Sequence, residues 1–105
     1  MAMIPMERGG LKSTSTWSAA VSNATSVIVV AISANIGGSI RECQIIIPKD
    51  RLTATLKYFY GTGGYFSSSA SMGAYVCASQ STMDSYAFYF NGTAQTVDSI
   101  TYYYD

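Results

Sequence analysis

Histidine is missing from this 105-residue chain, and charge is scarce: six Lys or Arg against six Asp or Glu make 11% charged residues and a formal net charge of zero. Without histidine, a serine or cysteine nucleophile would have to take its base from Lys12, Lys49, Lys57 or a carboxylate. No G-x-S-x-G or S-x-x-K stretch frames such a pair. The six carboxylates are scattered along the chain, so neither a metal-ligand cluster nor a defined acid pair stands out. Zero net charge leaves no electrostatic footprint for nucleic acid or for an anionic membrane.

Cysteine is equally sparse. Cys43 and Cys77 lack the density of a disulfide scaffold and the local spacing of a zinc site, and are expected as two small buried residues rather than a bridge. Long apolar runs are absent too. Residues 27–36 supply about half of the ~20 residues a membrane helix needs, and residues 1–6 are too short for the apolar core of a leader peptide. No repeat at solenoid spacing is present. These absences predict no catalytic residue, no cofactor, no metal, no nucleic acid and no membrane insertion.

What the chain does contain is β-branched and aromatic residues punctuated by Gly, Ser and Asn. Tyr86-Ala87-Phe88-Tyr89-Phe90 meets Asn91-Gly92, the pair that most readily supplies the two positive φ angles of a two-residue hairpin turn. A turn there sets Phe90 opposite Thr93, Phe88 opposite Gln95 and Tyr86 opposite Val97, with Tyr86, Phe88, Phe90 and Val97 on the core face. The parity of Ile100, Tyr102 and Tyr104 then requires a one-residue bulge near Asp98-Ser99 to bring them inward.

Upstream, residues 1–10 form an arm whose apolar side chains, Met1, Met3, Ile4 and Met6, are suited to strap onto a neighbouring subunit. Residues 11–20 read as a polar edge strand anchored by Trp17. Residues 26–33 are continuously apolar and β-branched, which predicts a central strand covered on both faces. Residues 40–48 form a strand with Cys43, Ile45 and Ile47 on one face and Glu42, Gln44 and Ile46 on the other, ended by Pro48.

In residues 52–60, Leu52, Ala54, Leu56, Tyr58 and Tyr60 alternate with Thr53, Thr55, Lys57 and Phe59, and the run is expected to stop at a hairpin connection, Gly61-Thr62-Gly63-Gly64. That glycine cluster lacks the lysine and following helix of a phosphate loop. Residues 65–67 begin a short strand followed by a serine-rich loop. Met72, Ala74, Val76 and Ala78 point inward on the next strand, with Tyr75 and Cys77 behind them, and residues 79–82 turn. Two glycosylation-type triplets, at Asn23 and Asn91, are accounted for by turn chemistry.

About eight short strands, no helix and regular turn signals predict one domain over residues 11–105, an all-β antiparallel two-sheet sandwich, jelly-roll-like, with a small up-and-down β-barrel as the alternative. This facing turns Phe59, Tyr75, Tyr89 and Tyr103 away from the core, as protein-interface residues, ordinary surface or a carbohydrate platform.

The order of Trp17, Val27-Ile28-Val29-Val30, the polar hairpins and the final strand Ile100-Thr101-Tyr102-Tyr103-Tyr104 resembles the small β-sandwich modules that end tail and fibre proteins of bacteriophages and prophages, over most of residues 13–105. The resemblance implies a viral structural protein: a non-enzymatic subunit of a virion, in a tail, a fibre or a capsid decoration, assembled in the host cytoplasm as a symmetric homo-oligomer with other virion proteins. Its alternative is an adhesion module that binds host-surface carbohydrate. No functional residue carries over from that family. A chain with its own Met1 arm departs from modules that end much longer proteins, and this favours a small subunit or decoration protein.

Overall fold

The structure, a computed structural model, describes residues 10–67 and 70–105. The strap expected from Met1, Met3, Ile4 and Met6 lies outside the described residues. Among those residues the chain forms β1 (Lys12–Thr14), α1 (Trp17–Asn23), β2 (Val27–Ile36), β3 (Ser39–Pro48), a 3-10 turn (Lys49–Arg51), β4 (Lys57–Ser67), β5 (Ala70–Ala78), β6 (Met83–Phe90), β7 (Thr93–Gln95) and β8 (Ser99–Tyr104). All pairings are antiparallel, in the order β1-β8-β2-β3-β4-β5-β6-β7.

This is the expected all-β two-sheet sandwich, because the ribbon divides into two four-stranded halves. Among the described residues β3 and β4 share one bridge, Gln44 with Thr62, where the ribbon folds over on itself. Gly61 makes that fold possible. A Cβ at Gly61 would run into the Gln44 carbonyl and the Ile45 side chain, so only glycine lets the two backbones approach so closely. The strand order is a meander from β2 to β7, after which β8 returns to lie between β1 and β2.

Hairpin geometry follows turn chemistry. Gly37 and Gly38 both have positive φ, 62° and 88°, and Ile36 pairs with Ser39 across them. Asn91 and Gly92 have φ of 51° and 85°, and Phe90 pairs with Thr93 and Phe88 with Gln95 as the sequence requires. The expected Tyr86–Val97 pair does not form. β7 ends at Gln95, and residues 96–98 cross to the other half, where the Asp98 N–H donates to the Ser33 carbonyl. Ile100, Tyr102 and Tyr104 therefore reach the inner face by a change of sheet, opposite Ile32, Val30 and Ile28, and not by a bulge.

The inner faces make one core: Ile28, Val30, Ile32 and Ala34 from β2, Cys43, Ile45 and Ile47 from β3, Met72, Ala74, Val76 and Ala78 from β5, Phe88 from β6 and Tyr102 from β8. Cys43 and Cys77 are both buried free thiols, as expected. Burial, aided by the neighbouring Glu42 charge, pushes the Cys43 thiol up to about 11.

Two local expectations are corrected. Residues 17–23 are helical, not an edge strand: the Thr16 hydroxyl caps the helix by accepting from the Ala19 N–H at 3.3 Å, and Trp17, Ala20, Val21 and Ala24 recur at helical spacing on its buried side. Trp17 closes one side of the sandwich, meeting Tyr102 edge-on at 5.6 Å and donating its Nε1 hydrogen to the Ser79 carbonyl at 2.9 Å. The second correction concerns the strand expected over 52–60. After Pro48 the 3-10 turn and a local bond from the Thr55 N–H to the Thr53 hydroxyl compete with ladder pairing, so β4 begins only at Lys57 and continues past Gly61 and Gly64, with a register shift between Thr62 and Gly64. The Gly61-Thr62-Gly63-Gly64 stretch is strand interior, and residues 65–67 are its continuation.

Candidate functional site

The shift in β4 reverses its facing. Phe59 pairs with Val76 and packs against the core, so its expected outward position is corrected. Tyr58 and Tyr60 face outward instead, and Tyr60 stands directly opposite Tyr75. Tyr75 and Tyr89 face outward as expected, since Gly73 pairs with Tyr89 on the side opposite to Ala74 and Phe88. Tyr103 also lies on an outer face, but on the other half-sheet, opposite Val29 and Ser13.

β4, β5 and β6 thus bring Tyr58, Tyr60, Tyr75 and Tyr89 into one cluster. Tyr58 and Tyr60 stack at 6.3 Å between ring centroids, as do Tyr75 and Tyr89. Tyr75 joins the two pairs, edge-on to Tyr58 at 5.5 Å and tilted against Tyr60 at 6.2 Å. These are the offset and edge geometries that the ring quadrupole favours. Tyr58 is 59% exposed, Tyr60 73% and Tyr89 36%. Between them stand Gly73, Cys77, Ser85 and Ala87, small and uncharged. Burial, and then the phenols of Tyr89, Tyr58 and Tyr60 with the Cys77 thiol, push the Tyr75 hydroxyl above the ordinary phenol range, so it stays neutral wherever the protein is folded near neutral pH.

On the first half-sheet Ile46, paired with Val29, is 49% exposed on the outer side of β3. Sequence reasoning missed Tyr58 and Tyr60 as outward neighbours. The signal was present in the phase of Phe59 and Gly61, which share a face: one needs a core and the other a backbone to approach.

A second region lies at the start of β2. Asp105 accepts hydrogen bonds from the backbone N–H groups of Thr25, Ser26 and Val27 and from the Ser26 hydroxyl. The Ser26 hydroxyl first, and then these N–H groups, hold the Asp105 carboxyl well below the usual carboxylate range. Beside it an open cavity of about 460 Å³ is lined by Thr25, Ser26, Pro48, Lys49 and Asp50. The Lys49 ammonium there donates to the Ala24 carbonyl at 2.6 Å, tying the end of α1 to the 3-10 turn. This arrangement is a structural clasp.

Among the described residues no group of three or more His, Cys, Asp or Glu converges, and no helix is long and apolar enough to cross a membrane. No protein-family model matches the chain, and no curated protein or solved structure matches it.

Proposed function

We propose that this protein is a non-enzymatic structural subunit that works by packing its outer tyrosine face against other protein, and that its setting is a virion. The observation that carries the reading is the cluster itself: four tyrosines, three of them substantially exposed, on a sheet face that places no charge among them. Tyrosine is enriched where proteins meet because it offers a large rigid apolar area and one polar end. The near absence of charge across the chain points the same way, since little electrostatic repulsion opposes association. The virion setting, with assembly in the host cytoplasm, rests on the resemblance of the strand order and the final tyrosine strand to phage tail and fibre modules.

Hydroxyl-radical footprinting tests the assembly role. In the particle or cell lysate that produces the chain, Tyr58, Tyr60, Tyr75 and Tyr89 should be protected relative to the dilute purified protein. Equal oxidation in both states would contradict the reading. The alternative, an adhesion module for host-surface carbohydrate, is favoured by the exposed ring faces of Tyr58 and Tyr60, because apolar sugar faces stack on phenols. A glycan-array signal lost on Tyr60→Ala and Tyr89→Ala would support it, and an array without a hit would remove it.

A further inference from the structure

We propose that the partner seated on the outer tyrosine face is a second copy of this chain, packed face to face about a two-fold axis that passes close to Tyr75. This inference rests on the assembly reading and names its partner.

A two-fold axis sets every group near it opposite its own copy, so an ionised side chain there would meet its own sign. The outer face is composed to avoid this. At the paired positions of this face along β4 to β7 stand Tyr58, Tyr60, Thr62, Gly73, Tyr75, Cys77, Ser85, Ala87, Tyr89 and Ala94, none of them Asp, Glu, Lys or Arg. Tyrosine is also suited to meeting itself. A phenol both donates and accepts a hydrogen bond, and its ring offers a negative face and a positive edge, so two identical tyrosines can pair reciprocally where two lysines or two aspartates cannot. Burial and neighbouring phenols keep Tyr75 neutral, which preserves this self-complementarity.

Area sets the strength of the contact. With exposures of 59%, 73% and 36%, Tyr58, Tyr60 and Tyr89 present roughly 350 Å² at about 200 Å² per side chain. The exposed part of Tyr75 raises this to roughly 400 Å², within the range of the largest patch on an ordinary monomer. Two copies together would bury roughly 800 Å², the size of a weak and reversible contact. The expected product is a concentration-dependent dimer.

Sedimentation velocity of the full chain over a wide concentration range tests this. The wild-type chain should pass from monomer to dimer. Tyr75→Arg and Tyr75→Asp should each weaken the dimer about tenfold or more, because each sets like charges across the axis, and mixing the two variants should restore it as an Arg–Asp heterodimer. Circular dichroism of each variant guards against misfolding, and Tyr60→Arg, at the most exposed of the four, provides a second probe if Tyr75→Arg does not fold. A wild-type chain that stays monomeric at all concentrations overturns the proposal, whether or not it binds a glycan, as does dimerisation unaffected by Tyr75→Arg and Tyr60→Arg. A monomeric chain whose tyrosines are still protected in its native assembly would overturn the second copy alone, whereas unprotected tyrosines would count against the assembly reading itself.

Discussion

The two half-sheets present different outer faces to their surroundings. On the β1-β8-β2-β3 half, the small residues Val29, Ala31 and Ser33 of the central strand are buried between Tyr103, Thr101 and Ser99 on one side and Ile46, Gln44 and Glu42 on the other, and the Ser33 and Ser99 hydroxyls bond each other at 2.7 Å. On the β4-β5-β6-β7 half, the centre of the same side is Tyr75, with Tyr58, Tyr60 and Tyr89 standing around it in the open. One face covers its central strand with polar and β-branched neighbours, leaving Ile40 and Ile46 exposed along β3. The other leaves aromatic surface exposed that the fold does not use.

That contrast can be broken from the inside or from the outside. The largest expected effect is on the inside, where Phe88 is fully buried against both half-sheets. Phe88→Ala should destabilise the protein by about 3–5 kcal/mol, seen as a lower midpoint in chemical unfolding. Next comes the seam. In Gly61→Ala the new methyl group has no room beside the Gln44 carbonyl, so β3 and β4 must separate, at about 2–3 kcal/mol, with accelerated hydrogen exchange at the β3–β4 bridge as the local signature.

The Asp105 clasp is smaller, because it lies at the surface and is screened by water. Asp105→Asn should lower stability by about 1 kcal/mol at neutral pH. The sign of its pH dependence is set by a folded-state pKa below the ordinary carboxylate value of 3.8: its contribution is complete above that value and disappears as pH falls below it. Wild type and Asp105→Asn should therefore converge in stability in acid, and a difference that persists there would show that the lost contacts are not those of the carboxylate.

The legibility of the chain in its sequence does not follow the division into half-sheets. β2, β3, β5 and the Asn91-Gly92 turn were readable because an unbroken β-branched run, a clean alternation or a turn pair each carries its own physical reason. The α1 helix was hidden behind a Ser/Thr-rich texture that also suits an edge strand, although the Thr16 cap and the spacing of Trp17, Ala20, Val21 and Ala24 were there to be seen. The site was half legible. Tyr75 and Tyr89 followed from the inward Met72, Ala74, Val76 and Phe88, but Phe59 and its neighbours were phased from Leu52, which is buried in an irregular segment and not in a strand. Glycines inside a strand looked like its end. Only the position of the neighbouring backbone shows why Gly61 belongs in the middle of one.

Unfolding and sedimentation of the double variant Tyr60→Ser/Tyr75→Ser, carried out on the same sample, test most directly whether the outer tyrosines serve contact rather than the fold. In dilute solution its unfolding midpoint should stay close to wild type, within about 1 kcal/mol, since both side chains stand outside the core, while its self-association should be lost. A variant that unfolds as readily as Phe88→Ala, or that associates as wild type does, would contradict the account.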